Sequence, residues 1–386
     1  MIEWQQPHPT DTDRGLRHTP HIVMWELTRS CELHCLHCRA ETQNQRHPDE
    51  LTTDQARKVI DQIAAMDHPL LVFTGGDPLE RPDLFELIEY AAGLDLHVSL
   101  ASSVTPKLTP KAMEQAKQAG ISRWAVGLDG ATAETHDRFR GVSRSFVDTL
   151  RVLYFLDKLN IPIQINTLVT TFNQDELQAM ADTVEIAGTT LWSLFFLVPT
   201  ERARAINMVS PEDTEGILRW IYQQSLVRPF SIKTAEAPFY HRIQEQQRSR
   251  PASRRAAGTQ QQEISRMDAD AGVGSSGIRP PLDIFRPNHP VSDDDGFIFI
   301  SHTGEVYPSG FFRVSVGHVL HTPLATIYSD SSLLQSLRNR DLRGGKCGLC
   351  EFRDHCGGSR ARAYAITGDP FASDPACAYV PSAVHI

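Results

Sequence analysis

Three cysteines lie within eight residues near the start of the chain. Cys31, Cys35 and Cys38 have the spacing C-x3-C-x2-C in one short segment. Iron–sulfur clusters take cysteine thiolates as ligands, normally four, and a pure electron carrier has every iron ligated by protein. Three cysteines in one loop hold a cluster and leave one iron open to a substrate or cofactor. The spacing therefore predicts a reactive iron–sulfur centre. The alternatives are three unrelated buried thiols or a zinc site, because zinc also takes four ligands and His34 or His37 would supply the fourth.

Four more cysteines lie near the end of the chain, with the spacing C-x2-C-x5-C-x20-C. They are Cys347, Cys350, Cys356 and Cys377. Four thiols complete a coordination shell, and C-x2-C pairs are also common in structural zinc sites, so zinc and iron–sulfur both stay open here. The total of seven cysteines is odd and falls into two clusters. This usage fits metal ligation in a reducing compartment, the cytoplasm, better than a secreted disulfide framework.

Size and charge restrict the class of protein. The chain has 386 residues, 40% of them hydrophobic, which suits one large domain with a smaller one. The net charge of −9 argues against nucleic-acid binding, which normally needs a basic surface. No apolar run approaches the ~20 residues of a membrane span. The polar segment 1–7 lacks the pattern of a signal peptide. From the charge and these two observations together, we expect neither nucleic acid nor membrane as a partner.

Apolar, β-branched runs of strand length alternate with segments of helical period. The predicted strands are 21–28, 70–74, 97–101, 123–127, 163–169 and 191–197. The predicted helices are 53–66, 82–92, 110–119, 145–159, 175–187 and 211–225. In the helix 53–66, apolar residues recur at i, i+3, i+4, i+7 and i+8, which gives one buried stripe. Six successive βα units predict an α/β fold with a parallel sheet, and functional groups should gather where its strands end.

The turn after the second predicted strand reads Gly75-Gly76-Asp77-Pro78. Together with the preceding cysteine loop, it resembles the radical S-adenosylmethionine (SAM) superfamily. The segment 25–31 is similar to the opening of the peptide- and tetrapyrrole-modifying members. The resemblance covers about 20–230 and 295–380 and implies a partial (β/α)6 barrel. It also implies a 4Fe–4S cluster on Cys31, Cys35 and Cys38 that cleaves SAM to a 5′-deoxyadenosyl radical, which removes hydrogen from the substrate.

The resemblance further implies which residues bind SAM. Glycine permits positive φ and a close backbone approach, so Gly75 and Gly76 are expected to present carbonyls to the methionine amine. Asp77 stands where glutamate is commoner and either contacts that amine or shapes the turn with Pro78. The other predicted SAM-binding residues are His37, Ser102, Ser103, Asp129, Arg140 and Asn166. Arg138 is the alternative to Arg140 as partner of the methionine carboxylate. Asp129 as a turn or cap residue and Asn166 as a structural amide remain alternatives.

The C-terminal cysteines, with the run Cys356-Gly357-Gly358 and a preceding hairpin, resemble the auxiliary-cluster extensions called SPASM and Twitch. Ser309 and Ser359 stand where such extensions commonly have further cysteines. The chain therefore has ligands for one auxiliary 4Fe–4S cluster, and iron and sulfide analysis would distinguish it from zinc. A small C-terminal α+β SPASM/Twitch-like extension is expected at 294–386.

The domain division follows from composition. We predict an N-terminal segment 1–19, a radical SAM core 20–240, a low-complexity insertion 241–293 and the extension 294–386. The insertion is rich in Arg, Gln, Ala, Gly and Ser and has almost no apolar periodicity. A mobile linker is its expected role, and contact of its arginines with an acidic partner is the alternative.

These features predict a radical SAM enzyme that abstracts hydrogen from a peptide or tetrapyrrole, as a maturase or an oxidative decarboxylase. The expected partners are that substrate and an electron donor such as flavodoxin or ferredoxin. The alternative is a non-catalytic iron–sulfur or zinc scaffold, which would not need the turn at 75–78. A peptide substrate predicts a small precursor gene nearby, whereas a tetrapyrrole predicts a pocket for several propionates.

Overall fold

The structure is a computed structural model, and it describes residues 19–40, 42–200, 202–203, 208–249 and 295–385. Its described strands form one sheet of ten strands in the order β10-β9-β8-β1-β2-β3-β4-β5-β6-β7. The strands are β1 Ile22–Glu26, β2 Leu70–Thr74, β3 Val98–Ser102, β4 Arg123–Gly127, β5 Ile163–Val169, β6 Leu191–Phe196, β7 Ser231–Ala235, β8 Phe297–Ile300, β9 Glu305–Tyr307 and β10 Gly317–His318.

Helices lie between these strands and after the last of them. They are α1 Thr53–Ala64, α2 Leu84–Gly93, α3 Pro110–Gln118, α4 Ala133–Arg140, α5 Ser145–Lys158, α6 Leu177–Ile186, α7 Pro211–Val227, α8 Phe239–Arg248, α9 Leu324–Asp330, α10 Ser332–Arg338, α11 Gly345–Gly348 and α12 Arg360–Thr367. Among the helices of the described ranges, none combines the length and the apolar character that a membrane crossing requires.

The local sequence explains why the first helix begins and packs as it does. Thr52 accepts a hydrogen bond from the backbone of Gln55, and the Gln55 side chain accepts one from the backbone of Thr52, which is the predicted capping box. The apolar stripe is buried against the sheet at Ala56, Val59, Ile60 and Ile63. Amphipathic helices of this kind cover a largely apolar parallel sheet, and the predicted α/β class is confirmed.

The parallel part of the sheet is larger than the six predicted strands. β7 pairs with β6, and β8 from the C-terminal part pairs in parallel with β1. β7 was missed because its sequence, Ser-Ile-Lys-Thr-Ala, is largely polar, and it lies at the edge of the sheet. Helix α4 was missed because it is polar and buries only His136 and Phe139.

The C-terminal part continues the same sheet. β8 and β9 form an antiparallel pair, and β10 pairs antiparallel with β9. Helix α8 occupies the first residues of the predicted insertion 241–293 and buries Arg242 and Ile243, so this portion is helical. The remainder of that segment and the predicted N-terminal segment lie almost wholly outside the described residues. The division into domains therefore stays a prediction.

Candidate active site

The cysteine loop follows β1 at the carboxyl end of the parallel sheet. Cys31 and Cys35 are buried, Cys38 is half-buried, and all three are free thiols. The backbone of Cys31 donates a hydrogen bond to Gln43, at 2.9 Å, which closes the loop on itself. The backbone of Leu36 donates to Phe139 of α4, at 3.3 Å. The loop is therefore fixed by main-chain contacts, and its cysteines are presented together.

Burial favours the neutral thiols in the absence of a metal. Burial raises the pKa of Cys31 to about 12 and also raises that of Cys35. A thiolate needs a nearby cation in such surroundings, and an iron–sulfur cluster supplies one while releasing the thiol protons. Across the described residues, no three His, Cys, Asp or Glu side chains are grouped around one metal-ion position. A cluster binds each thiolate through a different iron, so its ligands do not converge on a single ion. The donor set of three thiols fits the predicted cluster.

The Gly75-Gly76 turn packs directly under the cysteine loop. The Gly76 amide donates to the Thr28 carbonyl at 2.8 Å, and the Asp77 amide donates to the Ser30 carbonyl at 2.7 Å. Neither glycine adopts a positive φ, so the expected reason for glycine is wrong in that respect. A Cβ on Gly76 would lie 2.4 Å from the Ser30 carbonyl oxygen. Glycine is needed because two backbones approach closely, which sets the distance between the turn and the cysteines.

Replacing Gly76 by alanine is expected to displace the cysteine loop. Forcing a methyl group against backbone costs about 1–3 kcal/mol. We expect that loss in the free energy of unfolding, together with a lower iron content after anaerobic reconstitution. The matched control is Gly216→Ala in α7, where a Cβ meets nothing within 4 Å and helix propensity adds up to ~1 kcal/mol. Equal iron content in both variants would contradict the packing argument.

The Asp77 side chain is buried. Neither Asp77 nor Pro78 lines the cavity that opens beside the cysteine loop. Its carboxylate accepts hydrogen bonds from the Leu79 amide at 3.2 Å and from the Thr105 hydroxyl at 2.6 Å. Pro78 begins a single 3-10 turn for which Asp77 is the cap. In this geometry Asp77 shapes the turn, which is the second of the two roles considered for it. A contact between Asp77 and the SAM amine stays a prediction.

Asp77 should make stability depend on pH. Burial raises the pKa of its carboxyl from 3.8 to about 6, so ionisation is less favourable in the folded chain than in the unfolded chain. The folded protein then loses about 2–3 kcal/mol as pH rises from about 4 to about 6, and this loss persists above pH 6. We expect Asp77→Asn to be more stable than the wild type at pH 7.5, with a smaller difference at pH 5.0, in anaerobic urea unfolding. A difference that does not change with pH would contradict this assignment.

A cavity of about 240 Å³ opens beside the cysteine loop. The structure brings most of the predicted site residues to its wall. These are Cys31, Cys35, His37, Cys38, Gly75, Gly76, Ser102, Ser103, Asp129, Arg140 and Asn166. Arg138 is not among the lining residues, and its guanidinium lies 5.1 Å from the centre of the Phe172 ring. Of the two arginines considered, Arg140 therefore has the position that a cofactor contact requires.

Asp129 and Arg140 form a buried ion pair on the cavity wall. Arg140 Nη2 lies 2.6 Å from Asp129 Oδ2, and Asp129 Oδ1 accepts a hydrogen bond from the Leu168 amide at 2.8 Å. Burial alone would raise the pKa of Asp129, but Arg140, the neighbouring histidines and the Leu168 amide together outweigh burial and lower the pKa. Burial also lowers the pKa of His37 to about 4, so this ring is neutral and packs on Phe139 with centroids 4.6 Å apart. The wall thus holds one compensated charge pair and a neutral flat ring.

The serine and amide groups of the wall are already partly engaged. Ser102 accepts a hydrogen bond from the Trp124 indole at 2.8 Å, and its hydroxyl proton remains to be donated. The Asn166 side-chain oxygen accepts one from Gln164 at 2.7 Å, so its amide protons are the groups left for a ligand. Polar donors thus stand at the end of β3 and in the middle of β5 on the wall of this cavity.

The C-terminal cysteines form a second site. Cys347, Cys350, Cys356 and Cys377 surround a small cavity of about 20 Å³, together with Arg242, Lys346, Arg353 and Tyr379. Burial raises the pKa of Cys356, Cys377 and Cys350, so this set also favours a bound metal centre over free thiolates. Gly358 has a φ of +70°, and a Cβ there would lie 3.3 Å from Cys347 Sγ. This glycine lets the chain pass next to the sulfur.

The two serines that stand where related extensions commonly have cysteine have structural contacts here. Ser309 accepts hydrogen bonds from the amides of Phe311 and Phe312 at 3.3 and 3.2 Å. Ser359 caps α12 by accepting from the Arg362 amide at 3.0 Å, and its hydroxyl donates to Glu236. The Ser309 hydroxyl thus stabilises a turn and the Ser359 hydroxyl a helix start.

Sequence reasoning missed several residues of the cavity wall. Besides the predicted residues, the wall includes Leu33, Arg39, Ala40, Thr42, Thr74, Ala101, Ala125, Gly127, Leu168, Phe195 and Phe311. Arg39 had one local signal, its position directly after Cys38. Phe195 and Phe311 had none, because they reach the cavity only through the pairing of distant strands.

Comparison with known proteins agrees with this geometry. The profile of the radical SAM superfamily matches residues 25–184. The chain is 36% identical over 367 residues to the AdoMet-dependent heme synthase of Methanosarcina barkeri, covering 95% of this chain and 99% of that protein. It is 27% identical to the mycofactocin maturase MftC of Mycobacterium tuberculosis, covering 95% of this chain and 84% of that protein.

The fold also matches solved structures. The crystal structure of Streptococcus suis SuiB bound to S-adenosylmethionine superposes with a TM-score of 0.69 and 13% identity, covering 95% of this chain and 79% of that one. At this identity the similarity shows the fold. The cysteine loop, the turn beneath it and the relative at 36% identity lead to one conclusion. The chain belongs to the radical SAM superfamily, an enzyme family that uses a 4Fe–4S cluster and S-adenosylmethionine.

Proposed function

We propose that this enzyme acts on a tetrapyrrole and converts propionate side chains to vinyl groups on the way to haem. The observation that carries the proposal is the 36% identity to an AdoMet-dependent heme synthase over nearly the whole of both chains. Identity to the mycofactocin maturase MftC is lower, at 27%. A peptide substrate is the second candidate, and the 27% identity to a protein named a maturase, over 95% of this chain, favours it.

The residues of this chain have separate tasks under the proposal. Cys31, Cys35 and Cys38 hold the cluster, and the Gly75-Gly76 turn fixes the loop that carries them. Arg140, Asn166 and Ser102 offer donors for SAM, while the apolar part of the wall limits water. When bound, the cluster and SAM supply the power to abstract hydrogen from an unactivated carbon.

The reaction also needs an electron acceptor. Conversion of a propionate to a vinyl group removes one hydrogen atom, one CO₂ and one electron from the carboxylate form. We propose that Cys347, Cys350, Cys356 and Cys377 hold one auxiliary 4Fe–4S cluster that accepts this electron. The four thiols around one small cavity support it, because complete ligation suits electron transfer. A flavodoxin or ferredoxin is the proposed donor for SAM cleavage.

The domain boundaries and the cellular compartment are also part of this proposal. We retain a core at 20–240, an insertion at 241–293 and an auxiliary-cluster extension at 294–386, with helix α8 extending into the insertion. The two clusters of free thiols support a reducing compartment such as the cytoplasm.

The test is an anaerobic assay with iron-coproporphyrin III, which carries propionates where haem carries vinyl groups. Reconstituted enzyme with SAM and dithionite should form 5′-deoxyadenosine and should remove CO₂ from the porphyrin. Mass spectrometry measures the loss of mass from the porphyrin. Reactions without SAM are the control. A porphyrin that stays intact, while a small peptide encoded beside the gene is modified, would replace this proposal with the peptide candidate.

A further inference from the structure

Arg39 occupies a distinctive place in the cavity wall. It follows Cys38 directly, lines the cavity and keeps 16% of its side chain exposed. The other guanidinium among the described lining residues, Arg140, is already paired with Asp129 at 2.6 Å. Among the described acidic residues, Arg39 forms an ion pair with Glu26 alone, at a long distance of 3.5 Å. It is therefore the lining arginine with capacity to bind an anion.

Arg39 shares its acidic partner, Glu26, with two other arginines. Three guanidiniums, those of Arg29, Arg39 and Arg313, lie within 3.1–3.5 Å of the single carboxylate of Glu26. Burial would raise the pKa of Glu26, but its hydrogen bond with His302 and the three arginines lower it to about 2. Among the described side chains, three guanidiniums share the one carboxylate of Glu26, and a ligand carboxylate would give Arg39 an acidic partner of its own.

Aromatic rings hold the Arg39 guanidinium in one orientation. Its central carbon lies 4.7 Å from the centre of the Phe299 ring and 5.9 Å from that of Phe311. Phe311 also lines the cavity, so the cation stands beside an apolar face. A Cβ on Gly310 would lie 2.6 Å from Arg39 Nη1, so glycine leaves the room that this position needs. The guanidinium is therefore pre-organised, which lowers the entropy cost of binding.

We propose that Arg39 binds a carboxylate of the substrate in the cavity, with Glu26 and the Phe299 ring holding its side chain and Phe311 supporting the adjoining macrocycle. This inference rests on the proposed tetrapyrrole function. Guanidinium forks match carboxylates in shape and charge, and an apolar ring beside the fork suits a flat molecule with propionates at its edge. The carboxylate of SAM has the same chemistry, and the test separates the two sources.

The test measures equilibrium binding rather than turnover. Iron-coproporphyrin III is titrated into the anaerobic reconstituted enzyme and followed through its Soret absorbance. Arg39→Gln is expected to weaken binding about 10- to 100-fold, the range of a charge-assisted hydrogen bond, and Arg39→Lys should fall between this variant and the wild type. The control is Arg57→Gln, an arginine whose exposed ion pair with Glu86 lies outside the cavity. It should bind the porphyrin as the wild type does.

A second ligand keeps the test independent of the variant's folding. The tetramethyl ester of the same porphyrin has no free carboxylate, so the wild type should bind it at least about 10- to 100-fold more weakly than the acid, and this preference for the acid should be about 10- to 100-fold smaller in Arg39→Gln. SAM binding by equilibrium dialysis and iron content should stay unchanged in Arg39→Gln.

Each contrary result has its own meaning. Equal porphyrin affinity in Arg39→Gln and the wild type would overturn the inference and leave the proposed function standing. A loss of SAM affinity alone would assign Arg39 to the SAM carboxylate, and a loss of iron would assign it to the cluster. A wild type that binds no porphyrin would remove the proposed function together with this inference.

Discussion

Alanine at Cys31, Cys35 or Cys38 is expected to reduce 5′-deoxyadenosine formation to below detection. Two thiols are left in each variant, and a cluster that lacks one of its three protein ligands has no defined open iron for SAM. Burial raises the pKa of Cys31 to about 12, so this position is a poor place for an uncompensated charge and depends on the metal. The measurement is anaerobic reconstitution, followed by dithionite, SAM and chromatography of the nucleoside products.

The C-terminal cysteines provide the matched control for this result. Cys377→Ala removes one thiol from the second site and none from the loop after β1, so SAM cleavage should continue in this variant. Full nucleoside production by Cys35→Ala would remove the basis for the radical mechanism. Loss of cleavage in every variant, including Cys377→Ala, would instead indicate that the two sites fold together.

The contiguous motifs could be read from the sequence, because cluster ligands in one loop are close in space whatever the rest of the fold does. The cysteine spacing and the turn at 75–78 placed the site at the ends of β1 and β2. The alternation of strand-like and helix-like segments also predicted the parallel sheet. Residues contributed by chain segments far apart could not be read in this way. Phe299 lies beside Arg39 only because β8 pairs in parallel with β1.

The two glycines of the turn at 75–78 were correctly assigned to the site, but the physical reason expected for glycine there was wrong. Gly75 and Gly76 were expected to use positive φ, yet what excludes a side chain is the backbone of residues 28–30. That contact joins two separate βα units, and no local pattern encodes it. Asp77 is similar, because its burial against Thr105 depends on the position of the loop after β3.

The second large effect concerns the C-terminal site. Cys356→Ala is expected to lower the iron content from about eight to about four per chain, since each 4Fe–4S cluster carries four irons. It should also abolish decarboxylation of iron-coproporphyrin III while SAM cleavage continues. The physical reason is that each propionate must lose one electron. The loop cluster donates electrons to SAM, so a separate site has to accept this one. Arg242, which lines this cavity and pairs with Glu215, places a positive charge where an electron would arrive.

Metal analysis and product analysis together decide this prediction. The double variant Cys347→Ala with Cys350→Ala should reproduce both effects, which separates ligand loss from a local defect at Cys356. Cys31→Ala is the reciprocal control, because it should keep the second cluster and lose SAM cleavage. A wild type with zinc in the second site, and with iron for one cluster alone, would refute the auxiliary cluster. Unchanged haem formation in Cys356→Ala would show that the electron leaves by another route, since the carboxylate cannot depart as CO₂ without giving it up.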